Sequence, residues 1–495
     1  MFKTAANITP HEKIFRWTTL AIASVLAYFL VFYRLDMLSF RTWDESLFAF
    51  RAFYLAENGK FLVSYEDIPG LKGLTNTKPP LFTIIQSLFF KVLGYNVLAL
   101  RLPVAISAII LTGGIFRFVE KETGNFMTGI FAGLILLTSP GFMEIHVART
   151  GDQDAPFVML MFFSFVYFYR YLKYHDPRNI LFTAIFIIAA CLVKSISGLF
   201  LLPSFAILLL LEKKLKNLVS SRYFWISLIA FLVLVPGFYF VMNLKYPGFI
   251  QTAWQQDIFG RYTETIDKHE HSFTYYIETL TERDFKYWQL FLVPGILITN
   301  ISSALSRFKK IVNYSIIISI QILLVISFSA TKTEWYDALL YPWLAIISGT
   351  GIFSIAGLIK QLEIPWKRSI YWYSVIFVFF FFPFKEQIKR NSQHEDNSWP
   401  PHQYGYGMEY LMKNHPDIKK FIIINNSWNL PGVFYANAYN VQYDYKIKIY
   451  PSIDEINSGD TLLICEPDQL EKIKEKYETS GILTIRNCEL IRIEN

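Results

Sequence analysis

Charged side chains are scarce in this chain. Asp, Glu, Lys and Arg make up 18% of its 495 residues, where a soluble chain carries about a quarter. Cysteine is scarcer still, at three residues, which excludes a disulfide-built scaffold. Cys191 lies in an apolar run, so Cys465 and Cys488 are the one plausible pair. No Walker loop, dinucleotide-binding glycine fingerprint or cysteine-rich metal motif occurs. The surplus of 47 basic over 40 acidic residues is small and scattered, which argues against a nucleic-acid partner. No internal repeat or low-complexity tract is visible. What is abundant is apolar: 53% hydrophobic residues, including 46 Phe and 30 Tyr. The composition predicts a mainly α, polytopic membrane protein.

About eleven runs are apolar enough to cross a bilayer, beginning near Ile14, Leu98, Phe126, Ala155, Asn179, Ile196, Tyr223, Lys286, Ile311, Ala338 and Ser369. The first has no small-residue cleavage site and is expected to be a retained anchor. Pro79 to Gly94 is short for a span and is expected at the outer surface instead. With it left out, the clusters at Lys173 to Arg178, Lys213 to Lys216, Arg307 to Lys310 and Lys360 to Arg368 fall on the N-terminal side. The positive-inside rule then makes that side cytoplasmic. The odd span count puts the C-terminus outside. After Phe384 the chain turns polar. The expected domains are a membrane part over 1–384, a linker over 385–402 and a small outer α/β domain over 403–495. Strands are expected at Phe421 to Asn425, Ile447 to Tyr450, Thr461 to Cys465 and Ile482 to Ile493. Helices are expected at Tyr406 to Asn414 and Gln469 to Tyr477.

Candidate functional groups gather in the outer loops. Asp44 and Glu45 open an amphipathic stretch that runs through Arg51 and is expected to lie on the membrane. Helix N-terminal capping is the bland alternative for these acids. Pro79 and Pro80 fix the backbone beside Lys78, and an ammonium held there suits a phosphate; a snorkelling lysine is the alternative. Arg149, Asp152 and Asp154 crowd one short loop between apolar runs, where carboxylates are costly. Lys194 interrupts an apolar stretch and needs an anionic partner. His269 and His271 form a His-x-His pair that could ligate a metal, although a plain polar loop fits as well. Lys332 and Tyr336 close the set. Together they suggest one site, with carboxylates for a base or a sugar and cations for a leaving phosphate.

In this order and spacing, Asp44-Glu45, Lys78-Pro79-Pro80-Leu81, Arg101-Leu102-Pro103, Ala148-Arg149 with Asp154, Lys194, His269 and Lys332 with Tyr336 resemble the GT-C glycosyltransferases. The nearest branch holds the aminoarabinose transferases and protein O-mannosyltransferases. The resemblance covers about residues 14 to 384. It implies a hexosyl- or pentosyltransferase that takes a sugar from a polyprenyl-phosphate carrier, such as undecaprenyl phosphate. Transfer would be inverting, to an envelope lipid (lipid A-like), glycan or protein acceptor, on the periplasmic face of a bacterial inner membrane. It implies Asp44 and Asp154 as the catalytic carboxylates, Asp44 as base and Asp154 orienting acceptor or sugar, and Lys78, Arg149, Lys194, Lys332 and Tyr336 as donor-phosphate ligands. Glu45, Arg51 and Asp152 would position sugar or acceptor. A divalent metal on His269 and His271 is the one cofactor in view. Thr77 stands where that branch often has glutamate, and Leu47 where it has arginine; both departures argue against aminoarabinose as the sugar. A lipid or glycolipid flippase is the rival class, but it would place its charges near mid-bilayer and in repeated halves.

Overall fold

In a bilayer every backbone N–H and C=O must find a partner within the protein, so apolar runs of this length become helices. The computed structural model describes residues 9–37, 39–40, 44–59, 77–143, 146–265, 269–360, 368–392, 400–425 and 429–494. The membrane part begins with α1 (Pro10–Val31), α2 (Asp44–Asn58), α3 (Leu81–Leu93), α4 (Val97–Thr123), α5 (Phe126–Leu137) and α6 (Pro140–Met143). It continues through α7 (Asp154–Tyr174), α8 (Arg178–Lys194), α9 (Leu202–Leu211), α10 (Leu215–Val219), α11 (Arg222–Lys245), α12 (Phe249–Ala253) and α13 (Gly260–Thr263). It closes with α14 (Tyr275–Thr279), α15 (Leu292–Ile301), α16 (Ser306–Phe328), α17 (Tyr341–Lys360) and α18 (Arg368–Ser392).

Each of the eleven expected runs contributes a helix. Among the described residues, seven helical segments are long and apolar enough to cross a membrane. Three further runs give the shorter helices Phe126–Leu137, Leu202–Leu211 and Gln289–Ile301. The last run, α18, is long but ends in Lys385, Lys389 and Arg390. Helix α3 has 13 residues, about 20 Å of rise, which is short of a hydrocarbon core. It packs between α2, α4 and α8. One large apolar core joins α1, α4, α5, α7, α8, α16, α17 and α18.

The C-terminal domain carries α19 (Pro400–Asn414), β1 (Lys420–Ile424), α20 (Leu430–Gln442), β2 (Lys446–Tyr450), β3 (Thr461–Ile464), α21 (Pro467–Lys476), β4 (Thr479–Ile485) and β5 (Cys488–Ile493). The sheet order is β2-β1-β3-β5-β4. The first three strands are parallel and the last two pairings antiparallel. Side chains alternate across the sheet. Phe421 and Ile423 join the core under α19 and α20, while Ile422 and Ile424 join the core under α21. Cys465 and Cys488 are disulfide-bonded at the β3–β5 edge, and Cys191 is free and buried.

Three expectations need adjusting. Ile482 to Ile493 is a hairpin and not one strand, turning where Arg486 takes φ 51°. Helix α20 was missed because Asn429, Pro431 and Gly432 read as loop; Asn429 in fact caps the helix, its side chain accepting from the Gly432 N–H. Helix α18 continues to Ser392, into the stretch expected as a linker. Residues 393–399 of that stretch, and 361–367 of the basic Lys360 to Arg368 loop, lie outside the described residues.

Helix α2 does not lie open on the membrane. Glu45 through Phe53 are all buried. Leu47 and Phe50 pack on Leu430 and Val433 of α20, and Phe53 and Phe90 pack on Phe434. The C-terminal domain therefore sits directly on the first loop helix, and its core is continuous with α2, α3 and the start of α4.

Candidate active site

Two layers build the site. The lower one is a clamp. Glu45 is fully buried and accepts from Arg101 through Nε at 2.6 Å and Nη2 at 2.9 Å. Its Oε1 also takes the Gly151 N–H at 2.7 Å. Gln86 Nε2 donates to the Gly151 carbonyl at 2.7 Å. Arg101 spends its other N–H groups on the Leu35 and Ser39 carbonyls. A Cβ on Gly151 would meet Leu100 Cδ2 at 2.5 Å and Glu45 Cγ at 3.3 Å. Only glycine lets the α6–α7 loop press this closely on α2 and α4.

The upper layer is the cluster held by that loop. His146 takes a left-handed backbone, φ 71°, and its N–H donates to Thr150 Oγ1 at 2.8 Å. Thr150 Oγ1 in turn donates to Asp152 Oδ2. Asp152 Oδ1 lies 3.4 Å from His146 Nδ1, and Trp335 stacks on the imidazole at 4.0 Å between centroids. Burial disfavours charge on His146, but Asp152, Asp44 and Asp154 outweigh it and push its pKa up to about 9. Asp44, the first residue of α2, completes a trio with His146 and Asp152 whose ligand-capable atoms all lie within 4.8 Å of one another. Asp154 is the first residue of α7, and its carboxylate accepts from Lys194 at the end of α8. Lys194 Nζ also sits 5.4 Å from the Phe157 ring centroid and 6.0 Å from that of Tyr336. The next residue, Ser195, has φ 55° and is held by a 2.6 Å hydrogen bond between its hydroxyl and that of Tyr239.

Lys78 lies in a neighbouring subsite. Its ammonium pairs with Asp257, which also accepts from Thr77 Oγ1 at 2.7 Å. Asp257 belongs to the π-helical turn Trp254–Phe259, which packs against the 3₁₀ turn Ser195–Leu199 after Lys194. Such turns are frequent at functional sites. The two lysines thus approach one region, each held by an aspartate.

Other expected site residues have different tasks. Arg149 donates to the Leu30, Val31, Tyr33 and Arg34 carbonyls, capping the end of α1. Glu45 serves the clamp. Arg51 is buried, 5.5 Å from the Phe48 ring. Lys332 is buried and donates to the Ser329 carbonyl at 2.7 Å, while its N–H takes the His269 carbonyl. His271 stacks on Tyr275 at 4.0 Å. The metal-competent group among the described residues is therefore Asp44, His146 and Asp152, with His269 and His271 outside it. His146 was missed in the sequence because nothing patterned marks it; its distance of six residues from Asp152, across a Gly-containing loop, is the only hint. Asp257, the partner of Lys78, was equally invisible.

The trio fits a divalent ion in kind. One imidazole and two carboxylates are a donor set that zinc accepts. Asp152 Oδ1 and His146 Nδ1 are buried and face each other at 3.4 Å, and neither makes a closer hydrogen bond among the described residues.

This architecture is the GT-C fold. The chain is similar to ArnT from Cupriavidus metallidurans, solved bound to undecaprenyl phosphate, at a TM-score of 0.65 and 13% identity over 96% of this chain and 97% of that one. It is also similar to the archaeal oligosaccharyltransferase AglB from Archaeoglobus fulgidus, solved with an inhibitory peptide and a dolichol phosphate, at a TM-score of 0.52 and 12% identity over 89% of this chain and 65% of that one. Residues 77–240 match the family model of dolichyl-phosphate-mannose-protein mannosyltransferases. An uncharacterised protein of Aquifex aeolicus (strain VF5) is 28% identical over 215 residues, which is 43% of this chain and 41% of that protein. The resemblance read from the sequence holds: this is a polytopic membrane protein of the GT-C type.

Proposed function

We propose that the chain is a membrane glycosyltransferase that moves a sugar from a polyprenyl-phosphate carrier to an envelope lipid, glycan or protein. The observation that carries this reading is the meeting of Asp44, Asp152 and Asp154 with Lys194 and Tyr336 at one end of the helix bundle, in a fold shared with a protein solved on undecaprenyl phosphate. The acceptor hydroxyl would attack the anomeric carbon as the bond from that carbon to the carrier phosphate breaks, inverting the centre. Asp44, the most open carboxylate of the trio, would take the hydroxyl proton. Where the acceptor is itself a phosphate, no base is required and Asp44 becomes a positioning group. Lys194 and Lys78 would exchange their aspartate partners for the phosphate and stabilise it as it leaves. Asp152 would hold His146 in place. A divalent ion on Asp44, His146 and Asp152 would supply positive charge to the sugar or its phosphate.

The site would face the periplasm of a bacterial inner membrane. Loop charge favours that side, and the Cys465–Cys488 disulfide favours an oxidising compartment for the outer domain. The test uses purified full-length protein with radiolabelled sugar on undecaprenyl phosphate and a crude envelope fraction as acceptor. Transfer by the wild type, with at least a hundredfold loss in Asp44→Asn and in Asp154→Asn, each folded as judged by circular dichroism, supports the reading. Full transfer by both variants removes these residues from the chemistry. No transfer from any donor, with carrier lipid still bound, points to lipid transport.

A further inference from the structure

A second basic site lies at the C-terminal end of α18. A cavity of about 440 Å³ is lined there by Tyr287, Phe382, Lys385, Glu386, Lys389 and Arg390. Its one carboxylate is fully engaged. Glu386 accepts from Lys286 Nζ at 3.0 Å, from Arg390 Nη2 at 3.1 Å and from the Tyr287 hydroxyl. Lys385 and Lys389 are exposed and make no ion pair among the described residues. Among the described residues, Lys385 and Lys389 therefore add positive charge that Glu386 does not balance.

The placement of that charge is specific. Val378, Phe382, Lys385 and Lys389 follow a spacing of four, three and four residues, so they share one face of α18. Along this face the chemistry changes once. Val378 is 64% exposed and Phe382 67%, and the two lysines follow directly beyond them. An apolar strip that ends in two exposed lysines matches a lipid, with its chain against Val378 and Phe382 and its head at Lys385 and Lys389. Snorkelling lysines alone would need no cavity and no engaged glutamate. On the orientation proposed above, these cations also lie on the side that the positive-inside rule leaves poor in them.

We propose that this cavity binds the phosphate-bearing headgroup of an anionic membrane lipid. The position links it to the acid cluster. Asn391, just past the cavity, donates to the Leu30 carbonyl at 2.8 Å, and Arg149 donates to the same carbonyl at 2.9 Å. A bound headgroup braces the end of α18 against the loop that carries Asp152 and Asp154. The proposal does not depend on sugar transfer, and its test contains no donor.

The full-length protein is delipidated and offered phosphatidylglycerol, phosphatidylcholine or inorganic phosphate, with bound lipid counted by native mass spectrometry and Tm followed. Phosphatidylglycerol is expected to bind the wild type more tightly than phosphatidylcholine and to raise its Tm, an effect that shrinks with added salt. The double variant Lys385→Gln/Lys389→Gln is expected to bind it roughly tenfold to thirtyfold more weakly, from the loss of two charges near the surface. Because both lysines are exposed, the variant should keep the wild-type Tm without lipid; should it not, Lys389→Gln alone serves, with roughly half the effect in free energy. Equal binding of the two phospholipids, or undiminished binding by the variants, overturns the proposal. Inorganic phosphate alone raising Tm as much as phosphatidylglycerol, and losing that effect in the double variant, assigns the cavity to a free phosphate and overturns the lipid.

Discussion

The clamp beneath the α6–α7 loop and the cluster above it are built from the same kinds of residue and work in opposite ways. Asp44 and Glu45 are neighbours in α2, about 100° apart around the helix. That rotation turns Asp44 toward His146 and Asp152 and Glu45 into a dry pocket with Arg101 and the Gly151 amide. In the clamp every charge has a partner of fixed geometry. In the cluster, Asp44 and Asp152 share one imidazole, and Asp152 Oδ1 reaches it only at 3.4 Å. Rigidity sits below and unused binding capacity above, the arrangement of a pre-organised site.

The contrast breaks most sharply at Glu45. Glu45→Ala leaves Arg101 buried without its carboxylate and is expected to cost about 3–5 kcal/mol, read as a large drop in Tm. Asp44→Asn should leave Tm nearly unchanged and lower transfer by roughly 10²–10⁴-fold, read from initial rates. Similar Tm losses in both variants would erase the distinction between the layers.

A finer effect follows from pH. His146 in the folded chain titrates at about 9, above its ordinary 6.5, so its charged form stabilises the fold. That stability is complete below pH 6.5 and is lost as pH rises through about 9. Metal-free wild type should show Tm falling across this window, and His146→Gln should flatten the fall. A metal ion reverses the sign, because it binds the neutral imidazole; added zinc should raise Tm more at pH 8 than at pH 6, and chelation should restore the falling curve. Smallest of all, His271→Ala should shift Tm by less than about 0.5 kcal/mol equivalent, with no change in zinc response.

The sequence made the helices legible because the bilayer leaves apolar runs few alternatives. It also made Asp44, Asp154 and Lys194 legible, since a charge beside a span has to be explained. What it could not reveal was pairing. Lys194 finds Asp154 across 40 residues, and Lys78 finds Asp257 across 179. Nor could it reveal the four carbonyl partners of Arg149 at the end of α1, which carry no side-chain signature. His146 had no pattern around it; its role arises from a left-handed turn and from Trp335, far along the chain. The C-terminal sheet was legible strand by strand, but the Arg486 turn and the Asn429 cap were not, because each rests on one residue's local conformation.

The seat of the C-terminal domain on α2 also sets an order of events during synthesis. Phe40 meets Tyr435 across 395 residues, where the tyrosine hydroxyl accepts the Phe40 N–H at 3.3 Å. A ribosome adding about 5–20 residues per second needs roughly 20–80 s to cover that distance. Through that interval Leu47, Phe50 and Phe53 wait without the surface that will cover them, so the helix that carries Asp44 reaches its final packing only when the last fifth of the chain has emerged.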